Sequence, residues 1–293
     1  MEYLSAILQG IIQGLTEFLP ISSSGHLAIY QHLFGGEGDS GLLFTVLLHF
    51  GTLFAVCLVY RRTIGKLILE ACRMIGDLFT GRLKGKKLND ERRTILMMIL
   101  SSAMLLLVVA PVFGGASLKD VFENTTTDPG LFWVIGVMLL ITAVLMFLAW
   151  RITSSDRPTH KVASVKDALL IGATQAVAVF PGLSRSGSTT AVALACGMEK
   201  TAATRYSFIL SIPAVLAATL WELKDAVQAG GQAVQINWLA ALIGVVVSAV
   251  VGVAAIKTFL WLIKKNRYVV FSFYCAAVGL FVIVWSVVEH IAK

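Results

Sequence analysis

The sequence predicts an all-α polytopic membrane protein: six transmembrane helices plus two re-entrant helix hairpins in an inverted-topology repeat. Three observations predict it. The 293 residues are 57% hydrophobic and only 14% charged, with a mean hydropathy of +0.82, whereas soluble domains carry roughly 25% charged residues. Six apolar runs are long enough to cross a bilayer, which takes about 20 residues. Basic residues gather in alternate loops, and that bias orients the runs.

The elements follow in order. Residues 3–34 are apolar but are broken by 16-TEFLPISSSGHL-27. Each half is too short to cross, so the segment reads as a hairpin that enters and returns, or as a broken helix. Spans follow at 41–60, 94–113 and 131–150. Residues 165–197 are a second hairpin, broken by 181-PGLSRSGSTT-190. Three more spans lie at 203–221, 237–263 and 269–288. Loop 61–93 holds ten Lys/Arg against four acids, which makes it cytoplasmic. Loops 151–166, 199–205 and 264–267 are basic too, whereas 114–130 and 222–236 carry one lysine each. Both termini are then outside, and the two hairpins enter from opposite faces.

The net charge of +7 is a topology signal in such a chain. The basic residues lie in loops without interleaved exposed aromatics, so nucleic acid is not an expected partner. Cys57, Cys72, Cys196 and Cys275 contain no CxxC pair and read as apolar filler rather than disulfide or zinc ligands. No basic segment precedes the first apolar run, so no signal peptide is expected.

A shift of 162 aligns the two polar islands without a gap: Gln13 with Gln175, Phe18 with Phe180, Ser22 with Ser184, Ser24 with Ser186, Gly25 with Gly187. The offset continues into the next spans, where Leu48 meets Leu210 and Ala55 meets Ala217. The charge bias independently gives the aligned spans opposite orientations. The chain therefore reads as one membrane domain, 1–293, with a first inverted repeat at 1–150 and a second at 165–293.

Inverted repeats bring broken helices together near the midplane, with half-helix N-termini facing a shared site. Both second arms start at Ser-x-Ser-Gly, 22-SSSG-25 and 184-SRSG-187. Free backbone N–H groups there favour an anion, and Arg185 adds a planar fork suited to phosphate oxygens. A charge near the bilayer centre costs about 2.5–3.5 kcal/mol on insertion scales, so Glu17 and Arg185 are candidates for a task. Blander readings stand beside this one. The serines could be helix caps, Glu17 and Arg185 could pair with each other, and His26 could be a satisfied turn residue. His49 reads as packing or a cavity lining. Gln13 and Glu17 are i and i+4 on one helix face, which could supply oxygens to a hard divalent cation or make interhelical hydrogen bonds.

The Gln-x-x-x-Glu of Gln13 and Glu17, the following FLPISSSGHL, and 181-PGLSRSGST-189 resemble the undecaprenyl-diphosphate phosphatase family, also called the bacitracin-resistance proteins. The resemblance covers essentially the whole chain. It implies a bacterial inner-membrane, multi-pass enzyme that hydrolyses undecaprenyl diphosphate to undecaprenyl phosphate and inorganic phosphate, with its site open to the outer face. It implies catalytic roles for Ser23, His26, Glu17 and Arg185. Phosphate-binding roles fall to Ser22, Ser24, Gly25, Ser184, Ser186, Gly187 and Thr189, and a divalent cation, Mg2+ or Ca2+, falls to Glu17 and Gln13. The first acidic position of the motif is Gln13 here, which leaves one carboxylate rather than two. Two mechanisms remain open: attack by Ser23 with His26 as base, or attack by water activated by Glu17 or His26. The rival class is a lipid-phosphate flippase or anion carrier, since inverted repeats with broken helices are also a transporter architecture.

Overall fold

The computed structural model describes residues 2–34, 41–80, 88–109, 111–113, 116–117, 129–154, 158–228 and 237–292. It is helical apart from one short antiparallel ladder. Helices α1 (Glu2–Phe18) and α2 (Ser23–Phe34) form the first hairpin. Helix α3 (Gly41–Val59) follows, and α4 (Arg61–Phe79) leaves it at a bend of 86°. Helices α5 (Asp90–Ala103) and α6 (Leu106–Val109) lead to strands β1 (Pro111–Phe113) and β2 (Ala116–Ser117). Helix α7 is Phe132–Thr153. The second hairpin is α8 (Val165–Val177) and α9 (Arg185–Ala195). The chain closes with α10 (Lys200–Gln228), α11 (Trp238–Lys264) and α12 (Val270–Ala292).

Among the described residues four helices are long and apolar enough to cross a bilayer: α7, α10 over Lys200–Leu220, α11 and α12. The bent pair α3–α4 is a fifth candidate. Two expectations need amendment. The run 94–113 is not one helix. Asn89 caps α5 by accepting from the Arg92 N–H, but the helix stops at Ala103 after 14 residues. A turn and the four-residue α6 follow, and Pro111, which has no N–H to give a helix, opens the ladder. The basic segment 61–93, read as a loop, contains the 19-residue helix α4. Most of loop 114–130 and the 229–236 part of loop 222–236 lie outside the described residues.

The hairpins and spans interlace. Helix α1 packs mainly on α11, and α8 packs mainly on α5, so each hairpin's first arm lies against a helix from the other half of the chain. Small residues permit that closeness. A Cβ on Gly10 or Gly14 would stand 2.7 Å from a backbone oxygen of α11, and one on Gly172 would stand 2.6 Å from the Ser101 carbonyl of α5. In lipid, association rests on such close packing, because the tails are as apolar as the side chains. The core joins Phe18, Tyr60, Phe208, Phe259 and Phe271, an aromatic train running from the first island across α10 to α11 and α12.

Candidate active site

The site is assembled from two helix breaks. Helix α1 ends at Phe18, whose ring is buried against Phe208. Pro20 cannot continue a helix, and the chain turns through Ser22, which has a positive φ of 72°. A non-glycine residue in that region is strained and concentrates at functional sites. Helix α2 starts at Ser23. The second break turns through Gly182 at φ 88°. A Cβ there would lie 2.4 Å from the Ile135 carbonyl of α7, so both space and backbone require glycine. Helix α9 starts at Arg185. The two second arms therefore begin at equivalent positions, 23 and 185, under the same shift of 162.

The breaks touch. A Cβ on Gly25 would meet the Gly182 Cα at 3.0 Å, and one on Gly187 would meet the Pro20 Cβ at 2.9 Å. This contact places Glu17 between the two islands. Arg185 Nη2 donates to Glu17 Oε1. Ser23 Oγ donates to Glu17 Oε2 at 2.7 Å, and Gln13 Nε2 donates to the same oxygen at 3.0 Å. Glu17 is 6% exposed and Gln13 fully buried. The carboxylate is thus held by a guanidinium from the second break and by a hydroxyl and an amide from the first hairpin. Charge-assisted bonds of this kind are about twice as strong as neutral ones.

The two histidines have fixed tautomers. His26 Nδ1 lies 2.8 Å from the Ser22 carbonyl, which only accepts, so this nitrogen carries the proton. Its Nε2 lies 2.8 Å from the Tyr274 hydroxyl on α12, and the rings stack at 5.6 Å. A neutral His26 then accepts from Tyr274. Neither nitrogen is bonded to Ser23. His49 Nδ1 likewise donates to the Thr45 carbonyl at 2.8 Å, and its Nε2 stands 3.7 Å from Glu17 Oε2.

The remaining candidates divide. Ser22 Oγ accepts from the Gly25 N–H at 3.3 Å, and Ser184 Oγ from the Gly187 N–H at 3.1 Å, so both act as caps of the second arms. Ser184 and Ser186 are buried, with their hydroxyls 3.3 Å apart, and Ser186 also donates to the Leu19 carbonyl. The Thr189 hydroxyl is spent within the helices: it donates to the Arg185 carbonyl and lies 2.6 Å from Ser207 Oγ. Ser24 is exposed, with its hydroxyl 3.4 Å from that of Ser22. Glu17, Ser23, Arg185 and Gln13 are therefore brought together, while His26 and Thr189 point elsewhere.

Three residues that touch the site received no catalytic or binding role from the sequence, His49 being read only as packing or a cavity lining. His49 carried the available signal, an imidazole inside an apolar span, which is a functional hypothesis by default. Tyr274 carried none, as one tyrosine among many apolar residues. Thr142 of α7 accepts from the Ser184 N–H at 3.0 Å and holds the second break in place; it too had no distinguishing context.

Comparison with known proteins gives the family. The family model for "Bacitracin resistance protein BacA" matches residues 6–281. The chain is 41% identical to the undecaprenyl-diphosphatase of Alkaliphilus metalliredigens, over 98% of this chain and 99% of that protein. It is 35% identical to that of Halothermothrix orenii (97% and 98%) and 36% identical to that of Methanobrevibacter smithii (98% and 99%). With nearly the whole chain matched and a carboxylate clamped between its two Ser-Gly breaks, the protein belongs to the bacitracin resistance protein BacA family.

Proposed function

We propose that this chain is a membrane phosphatase that hydrolyses undecaprenyl diphosphate to undecaprenyl phosphate and inorganic phosphate, recycling the carrier lipid for cell-wall synthesis. The observation that carries this reading is the hydrogen-bonded set Ser23–Glu17–Arg185 at the contact between the islands. The family and the names of the relatives support the substrate class.

Ser23 is the nucleophile and Glu17 its base. The 2.7 Å bond already points the Ser23 proton at Glu17 Oε2, and a base must lie within such reach of the proton it takes. Ser23 Oγ attacks the terminal phosphorus. The bridging P–O bond breaks and undecaprenyl phosphate leaves with the electron pair, while the Ser23 proton passes to Glu17. Glu17 passes that proton to the departing phosphate; water then attacks the phosphoserine while Glu17 takes a proton from it, the Ser23 Oγ–P bond breaks, Glu17 returns the proton to Ser23 Oγ, and inorganic phosphate leaves. Arg185 exchanges its carboxylate partner for phosphate oxygens and stabilises the charge that develops there. His26, held by Ser22 and Tyr274, fixes the strained turn that presents Ser23. This replaces His26 by Glu17 as the partner of Ser23, because His26 has both nitrogens occupied.

The residues fit a hard divalent cation. Gln13 Oε1, on the amide whose Nε2 bonds Glu17, is fully buried without a hydrogen-bond partner among the described residues, and oxygen donors of this kind suit Mg2+ or Ca2+. Gln13 and Glu17 would hold the ion together with substrate phosphate, and the ion would neutralise phosphate charge. The chain holds six membrane crossings, with 94–113 crossing as a broken element, and the two hairpins are re-entrant in an inverted repeat. The matched starts of α2 and α9 and the reciprocal packing of α1 on α11 and α8 on α5 support this. The protein lies in the cytoplasmic membrane with its site open to the outer face.

The test is phosphate release from a prenyl diphosphate by purified protein in detergent. Release that depends on Ser23, Glu17 and Arg185 supports a phosphatase. Binding without release would point to a carrier instead.

A further inference from the structure

Helix α4 leaves the strongly apolar helix α3 at 86°, and its two long faces differ in kind. Both of its acids turn inward. Glu70 is buried and accepts from Arg92 Nε at 2.7 Å, and Asp77 accepts from Arg92 Nη2 at 2.8 Å. Arg92 is at the start of α5, so these bonds clamp α4 on the α5 N-terminus. Thr63, Ile64, Leu67, Ala71 and Met74 share that partly covered face. The outward face holds no carboxylate. Ile68, Leu69, Ile75, Leu78 and Phe79 are exposed, Phe79 by 85%. At 100° per residue Ile68, Ile75, Leu78 and Phe79 fall within about 100° of one another and form an apolar stripe, with exposed Arg61 at its first turn. Leu69 stands about 100° away, beside a second exposed stripe of Arg62, Lys66 and Arg73, all basic. Arg73 also reaches Glu70 at 3.2 Å, while Arg62 and Lys66 make no ion pair among the described residues.

An apolar stripe flanked by basic residues on a helix turned across the end of a membrane helix is the signature of an interfacial helix. We infer that α4 lies in the plane of the membrane surface, with its apolar stripe among the acyl chains, and that Arg62, Lys66 and Arg73 bind anionic lipid headgroups. Nothing assigns this helix a ligand, and the inference stands apart from the hydrolytic site. Two observations select the occupant. Continuity with α3 puts the stripe at a bilayer surface. Segregation of charge, with acids inside and bases outside, selects an anionic surface over a zwitterionic one. Basic residues at a membrane surface each favour anionic lipid by about fivefold.

The test uses the full chain in lipid nanodiscs. Cys72 lies on the outward face. The other three cysteines, Cys57, Cys196 and Cys275, are replaced, and a spin label is placed on Cys72. The inference expects the label to be reached by oxygen and shielded from a water-soluble nickel quencher. Full access of the nickel reagent would overturn it. A fluorophore at the same position is then quenched by nitroxide-headgroup phosphatidylglycerol or by nitroxide-headgroup phosphatidylcholine. Quenching should favour phosphatidylglycerol by at least about threefold. The Arg62→Gln/Lys66→Gln/Arg73→Gln variant should erase that preference and leave the label in lipid. Equal quenching by both lipids in the unsubstituted protein, or a preference that survives the triple change, would overturn headgroup binding. Phosphate release by the triple variant verifies that its fold is intact; a variant that does not fold is replaced by the three single changes, whose preferences should fall in step.

Discussion

The two islands share a frame and differ in contents. Each break caps its second arm with a serine that accepts from the glycine three residues on. Each second arm starts at the same repeat position, Ser23 in one and Arg185 in the other. Beyond that they part. Glu17 in the first half faces Val179 in the second under the shift of 162, and His26 faces Ser188. The first break is strained at Ser22 and leaves Ser23 and Ser24 accessible; the second buries Ser184, Ser186, Ser188 and Thr189. The two breaks share one frame and differ in what they bring to their contact: the first supplies a carboxylate and a hydroxyl, the second a guanidinium.

The largest effects should follow from breaking that complementarity. Glu17→Gln keeps the shape but removes the base and leaves Arg185 without its anion. Phosphate release should fall by about 10²–10⁴, with the cation requirement raised. Arg185→Ala should cost about 10²–10³ in kcat or more. Arg185→Lys should lie near the same range, because it keeps the charge and loses the fork. Steady-state kinetics check all three. If Arg185→Lys changes KM alone, the arginine binds substrate without acting in the transition state, and the shared-site reading loses its second half.

The next effects fall on the contact between the breaks. Gly182→Ala meets the Ile135 carbonyl in a backbone region that L side chains avoid. Overpacking costs about 1–3 kcal/mol, so thermal unfolding in detergent should begin clearly lower. Gly25→Ala meets the Gly182 Cα at 3.0 Å, the Ser22 Oγ at 3.2 Å and the Gly182 N at 3.3 Å, with no positive φ to strain it, and should disturb stability less while separating Ser23 from Arg185, which would lower kcat. Equal stability loss with unchanged kcat for Gly25→Ala would mean that the island contact is packing and nothing more.

The smallest effect sharpens the comparison at equivalent positions. Ser188 is fully buried and its hydroxyl has no partner among the described residues. Ser188→Ala removes an unsatisfied group, and stability should hold or rise slightly. His26→Ala, at the matching place, removes bonds to Ser22 and Tyr274 and should reduce turnover. Tyr274→Phe removes one neutral hydrogen bond, worth about 0.5–1.5 kcal/mol, and should lie between them. A Ser188→Ala variant as impaired as His26→Ala would show that the second island holds chemistry of its own.

Much of this arrangement was legible in the sequence, and the reason is physical. A Ser-Gly break flanked by apolar arms cannot hide in a membrane run, and its repetition at one offset ties distant residues to one place. The pairing of Glu17 with Arg185 was among the open readings for the same reason, since two buried opposite charges need partners. Other features left no local trace. The partner of Ser23 depends on which way the Ser22 turn throws the His26 ring, and only the fold settles that. Hydropathy counts apolar residues without testing backbone continuity, so it passed over the end of α5 at Ala103. Charge counting scored 61–93 as a basic loop, because it sums charges and ignores their period along a helix. Tyr274 and Thr142 reach the islands from spans with nothing to mark them.

If Ser23, activated by Glu17 and aided by Arg185 from the second hairpin, is the nucleophile, it becomes phosphorylated in each turnover. Acid quench of a single turnover, with the label in the terminal phosphate of a prenyl diphosphate, reads this directly. Labelled protein should form before inorganic phosphate appears, with the phosphoryl group on Ser23, and Ser23→Ala should carry no label and be nearly inactive. Absence of labelled protein throughout the turnover, together with a Ser23→Ala enzyme that keeps about a tenth or more of the rate, would contradict it. The hydroxyl would then be a phosphate ligand, whose loss costs only about 0.5–1.5 kcal/mol.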